Sequence, residues 1–184
     1  MTPPSVKSSS TATALPQPTG QQLREQLVKY VDETIRITGP GPWEWDPDLY
    51  GRIPPKWNAD TATFAGEPCD ISLSGDESEQ FTVHLYGPPV ADPNAKAQEV
   101  LAAWKALGYR TRLVGTPSPP PVFYNEIAAE TPDGAQLGFT ASTLISSFGV
   151  QSACTTDPLV LDGYIYGPGG SSRRYEVGDA PAGP

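Results

Sequence analysis

A proline or a glycine interrupts this chain about once every five residues, with 22 prolines and 18 glycines in 184 positions. Proline removes an amide donor and clashes with the preceding helical turn, and glycine gives up backbone entropy when it is ordered. A chain so interrupted builds only short helices, which excludes a helical bundle or a coiled coil. Its length suits a single domain with its own core. The net charge is −9, from 21 acidic and 12 basic side chains. Nucleic-acid binders and polybasic membrane binders need positive surface, so neither class of partner is expected. No stretch approaches the 18 apolar residues of a bilayer span.

The two ends differ from the middle. Residues 1–20 hold four Pro, four Ser and four Thr, with Lys7 as the only charged side chain. Such a segment buries too little apolar surface to offset its conformational entropy and reads as a flexible Ser/Thr/Pro tether. It lacks the apolar run of a signal peptide. Residues 161–184 read as a Gly/Pro-rich tail, with Tyr164, Ile165 and Tyr166 able to pack back before it frays. The folded domain is expected over residues 20–160.

Within it, Thr19 and Gln22 have capping-box spacing, and Leu23, Leu27, Tyr30, Val31, Thr34 and Ile35 share one helical face. Gly39 and Pro40 stop that helix, predicted over 20–36. Asp92 followed by Pro93 opens a second helix, with Ala97, Val100, Leu101, Trp104 and Leu107 as its apolar stripe and Gly108 as its stop. Alternation marks a strand in which Phe81, Val83 and Leu85 face one way and Thr82, His84 and Tyr86 the other. Ile71 and Leu73 are read as its hairpin partner across residues 75–79. Further strands are expected at 109–113, 122–130, 135–143 and 148–154, the middle pair joined by the turn Thr131-Pro132-Asp133-Gly134. Short hairpin connections predict an α+β fold: a two-layer sandwich with a mainly antiparallel sheet and two amphipathic helices on one face.

Cys69 and Cys154 are the only cysteines and His84 is the only histidine, so a zinc site with four Cys or His ligands is impossible. One cysteine precedes a strand and the other ends one, where a staple between sheet and loop would sit. Together with the exported character of the tether this predicts a disulfide, the alternative being two buried reduced thiols.

The tether, the first helix, Trp43–Asp46, Gly51-Arg52, Trp57, Cys69, the helix end Leu107-Gly108-Tyr109 and the strand pair leading into Cys154 occur in an order similar to that of a mature actinobacterial envelope lipoprotein. They resemble most closely the mycobacterial LppA/LppB/LppV lipoprotein family over about residues 21–156. The resemblance implies an α+β fold, a disulfide, and attachment to the outer face of the cytoplasmic membrane through an N-terminal lipid. It implies no activity. Met1 stands where the lipid-bearing cysteine of a mature lipoprotein would be, so the anchor is expected to be missing from this chain.

No nucleophile-elbow or phosphate-loop motif is present. His84 within an alternating strand reads first as a half-exposed sheet residue. Asp46, Asp48 and Gly51 open like a calcium loop, but its twelfth position is Trp57 where a bidentate Glu is required, so an EF-hand is excluded. No cofactor or metal is expected. Trp43, Trp45, Tyr50 and Trp57, beside Asp46 and Asp48, form the most distinctive cluster. Flat rings next to carboxylates suit a glycan or an apolar ligand, whereas the same rings can plug the open end of the sandwich. At least two of the four are expected to be more than half buried, since otherwise a large apolar patch would face solvent. Two functions follow: a non-catalytic binding or interaction module with a protein or glycan partner, or an envelope enzyme acting on a glycan or another polar substrate through Glu44, Asp46 and Asp48.

Overall fold

The computed structural model describes residues 17–39, 41–46, 55–69, 77–114 and 124–175. Helix α1 runs Gly20–Thr38. Its capping box is complete: Thr19 Oγ1 accepts from the Gln22 amide at 3.3 Å, and Gln22 Oε1 accepts from the Thr19 amide at 2.9 Å. It runs two residues past the predicted end, and the Thr38 hydroxyl donates to the Thr34 carbonyl at 2.9 Å. Gly39 then leaves at φ +100°, a conformation open to glycine. Helix α2 runs Pro93–Ala106, and Asp92 accepts from the Ala95 amide at 2.9 Å. Leu107, expected in its buried stripe, instead caps the helix and is 42 % exposed.

The strands are β1 Glu44–Trp45, β2 Glu67–Pro68, β3 Glu79–Gln80, β4 Thr82–Gly87, β5 Arg110–Val114, β6 Tyr124–Glu130, β7 Gln136–Ser142 and β8 Ser146–Gln151. Six of them form one antiparallel sheet in the order β1-β4-β8-β7-β6-β5. The fold is α+β with a large antiparallel sheet. The β6–β7 hairpin turns through 131–134 as predicted, with Gly134 at φ +90°. Strand β8 begins two residues earlier than expected and ends before Cys154. The strand proposed at Ile71 and Leu73 lies outside the described residues, and β2 and β3 pair on either side of that stretch.

Cross-strand register sorts the sheet into two faces. Leu85, Phe148, Phe139 and Ile127 stand opposite one another, as do Val83, Val150, Leu137 and Ala129, and all eight are buried. Leu23, Leu27 and Val31 of α1 and Ala97, Val100 and Trp104 of α2 belong to the same buried cluster. Leu113, opposite the buried Ile127, is 52 % exposed because β5 is an edge strand.

The expected domain limit at residue 160 falls short. After α3, Pro158–Leu161, strands β9 Tyr164–Tyr166 and β10 Ser172–Arg174 form a hairpin. Val160, Ile165 and Tyr166 are buried, and Phe64 and Tyr166 exchange both backbone hydrogen bonds at 2.8–2.9 Å. The glycines that suggested a loose tail serve the turns, Gly163, Gly169 and Gly170 all having positive φ. The Tyr166 ring lies on Gly20, where a Cβ would come within 2.3 Å of a ring carbon.

Two tyrosines tie α1 to the sheet. Tyr30 donates to Asp133 at 2.5 Å and Tyr109 to Glu33 at 2.7 Å, with the rings edge to face at 5.8 Å. Burial, followed by these hydrogen bonds to carboxylates, raises both hydroxyl pKa values well above the ordinary 10.0. A folded pKa above the unfolded one means this stabilisation is complete below the unfolded pKa and is lost as pH rises beyond it. A phenolate absorbance titration is expected to show Tyr30 and Tyr109 ionising only as the protein unfolds in alkali. Ionisation of both near the ordinary tyrosine value of 10.0 while the protein is still folded would contradict the geometry.

Candidate functional site

The tryptophans pack inward. Trp43 is 4 % exposed, stands edge-on to Phe148 at 4.8 Å, and lies over Gly87, where a Cβ would come within 2.5 Å of the indole. Trp45 and Trp57 are partly buried against the core, 5.6 Å apart. They start an aromatic series that continues through Phe64 and Phe81 to Tyr166. Backbone bonds hold them there, from the Trp45 amide to Pro55 at 3.0 Å and from the Trp57 amide to Trp43 at 2.7 Å. The Trp57 indole donates to Asp32 on α1 at 2.8 Å. These rings fill space between β1, α1 and the C-terminal hairpin. Asp48 and Tyr50 lie outside the described residues.

The face of the sheet opposite the buried one offers a different site. One cross-strand row reads Arg112, Ala128, Gly138, Gly149, His84, from β5 to β4. Its middle positions carry almost no side chain, so the sheet surface drops there to a shallow trough of about 410 Å³. Thr82, Gln136 and Gln151 form one bank. Four inter-strand steps separate the ends of the row, about 19 Å at the usual strand spacing.

Neither central glycine is required by the described residues. Among them a Cβ on Gly138 would meet nothing within 4 Å, and one on Gly149 would make ordinary contacts at 3.7 and 3.8 Å. Neither has positive φ. Each weakens its strand by about 0.5–1 kcal/mol relative to alanine. Glycine inside a strand often marks a bulge, a tight bend, or a place where a ligand or another backbone approaches closely.

The ends of the trough are polar. His84 Nδ1 lies 3.9 Å from the Asp46 carboxylate, the one residue shared with the cluster picked out from sequence, and its ring meets Tyr86 edge-on at 4.8 Å. Glu44, opposite Tyr86, lies on β1 two residues before Asp46. These carboxylates come from one side of the trough, whereas glycosidic hydrolysis needs a pair flanking the scissile bond. At the other end Arg110 is engaged by Glu130, while Arg112 has no ion pair among the described residues. The Thr82 hydroxyl oxygen is buried without a hydrogen-bond partner among the described residues. Among the described residues no group of three His, Cys, Asp or Glu is placed to hold a metal.

Sequence reasoning passed over Arg112, Gly138, Gly149, Gln136 and Gln151. The available signal was a glycine in the interior of each of two adjacent predicted strands. No protein-family model, curated protein or solved structure shows significant similarity to the chain.

Proposed function

We propose that the protein is a non-catalytic binding module of the cell envelope: an exported lipoprotein, held at the outer face of the cytoplasmic membrane by an N-terminal lipid, whose ligand lies in the glycine-floored trough. In this reading the domain is a two-layer sandwich with α1 and α2 covering one face of the sheet and the ligand taking the other. The observation that carries it is the pair Gly138 and Gly149, which cost strand stability and answer to no close contact among the described residues. The Cys69–Cys154 disulfide supports an oxidising compartment, as reducing ones keep thiols free.

Filling the trough tests the binding role. The Cβ of Gly138→Phe meets no described atom within 4 Å, so its thermal midpoint is expected to match or exceed that of the parent, β-propensity favouring the aromatic residue. Its co-sedimentation with isolated actinobacterial cell-envelope material is expected to fall at least tenfold. Retention equal to the parent's would overturn the assignment. The anchor has its own test: the full-length gene product should incorporate an alkyne-labelled fatty acid.

The Asp46–His84 pair at the trough's end favours a second reading, the envelope enzyme working through Glu44, Asp46 and Asp48. That reading requires turnover of a glycan that Asp46→Asn abolishes. The binding reading requires none.

A further inference from the structure

We propose that the trough takes an acidic oligosaccharide lying across the strands, with a carboxylate of the chain held by Arg112; this rests on the trough being the binding face. Three features of the site select the ligand class. The floor is made of the Cα atoms of Gly138 and Gly149 and the methyl of Ala128. Its backbone donors and acceptors are committed to the ladders joining β4, β8, β7 and β6. Such a floor offers flat apolar contact and few hydrogen bonds. A pyranose ring matches it, with C–H groups on its faces and hydroxyls around its rim.

The bank supplies what the rim requires. Gln136 and Gln151 stand opposite each other and carry both donors and acceptors. Beside them Thr82 lines the same bank. An extended peptide fits less well. Peptides that add to a sheet gain affinity from main-chain bonds along a free edge, whereas this floor is the interior of the sheet.

Charge then selects among glycans. Arg112 is exposed, lies at one end of the row, and makes no ion pair among the described residues, in contrast to its neighbour Arg110. A guanidinium presents paired donors that match a carboxylate bidentately. In a chain of net charge −9, a guanidinium left open on a ligand-sized groove is the feature that attracts an anion.

The test is an amide-resolved NMR titration of the full chain with a galacturonic acid tetramer, a neutral glucose tetramer and tetraglutamate. The uronic tetramer is expected to shift the amides of Ala128, Gly138 and Gly149 and to bind more tightly than the neutral one. Arg112→Gln should weaken the uronic tetramer at least tenfold and leave the neutral one unchanged. Gly138→Phe should abolish both. Tetraglutamate binding as tightly as the uronic tetramer, no shift with either saccharide, or indifference to Arg112→Gln would each overturn the proposal. If no saccharide binds while Gly138→Phe still loses envelope material, the ligand class is wrong and the trough stands. If Gly138→Phe keeps that material, the underlying reading is wrong.

Discussion

Cys154→Ser, or reduction of the native protein, is expected to lower the unfolding free energy by as much as about 4.5 kcal/mol, the chain-entropy value for a loop of this size. The bond joins residues 85 apart in sequence, with their Cα atoms 6.2 Å apart. Among the described residues its Cys69 side is thinly packed. Both residues of β2 are exposed, and β2 is held to β3 by a two-residue ladder and by the Cys69 amide donating to Ser78 at 2.9 Å. Little buried area there can substitute for the covalent link. Since small domains are stable by about 5–15 kcal/mol, losing it would remove a large share of the total. Urea unfolding with and without reductant measures the effect. Coincident midpoints would show that the staple contributes nothing.

Trp43→Ala is expected to cost about 3–5 kcal/mol, as for other large-to-small changes at buried aromatic positions. The indole fills the space between Phe148 and the bare backbone of Gly87. The reciprocal change, Gly87→Val, pushes a side chain into the ring and should cost about 1–3 kcal/mol. The two losses should not add, because both disrupt one contact. A Trp43→Ala protein with a parental midpoint would restore the view of this residue as a ligand platform. Its loss of binding without loss of stability would have the same meaning.

Local chemistry made much of the fold readable. Thr19 and Gln22, Asp92 and Pro93, and the turn at 131–134 each specify their own conformation through bonds made within a few residues. The alternation from Phe81 to Tyr86 reports a face directly, and Phe81, Val83 and Leu85 are buried as it predicts. Leu107 misled because periodicity gives a direction but not whether a neighbour covers it: it caps a helix. Tyr164, Ile165 and Tyr166 were outvoted by surrounding glycines, whose turns in fact return that strand to the core. The trough was hidden for a different reason. Its row draws one residue from each of five strands, and only their registers place Arg112, Ala128, Gly138, Gly149 and His84 in line. The tryptophans stood out in the sequence because they are adjacent along the chain, a poor guide to what lies adjacent on a sheet.

The seam where α1 begins gives the domain a defined response to tension. Thr155 donates its hydroxyl to the Pro18 carbonyl at 2.7 Å, and the Gly20 amide donates to Asp157 at 2.9 Å. Force applied through residue 17 therefore loads the segment 155–157 before it reaches the body of the helix. That segment adjoins Cys154, and Thr155 and Glu79 exchange backbone bonds at 2.8–3.0 Å. The load path leads from two hydrogen bonds into a covalent link and the middle of the chain. A pull at the amino end would have to shear this junction as a unit, and the load passes on to the ends of β4 and β8, where Ser152 donates its amide to Phe81 at 2.8 Å.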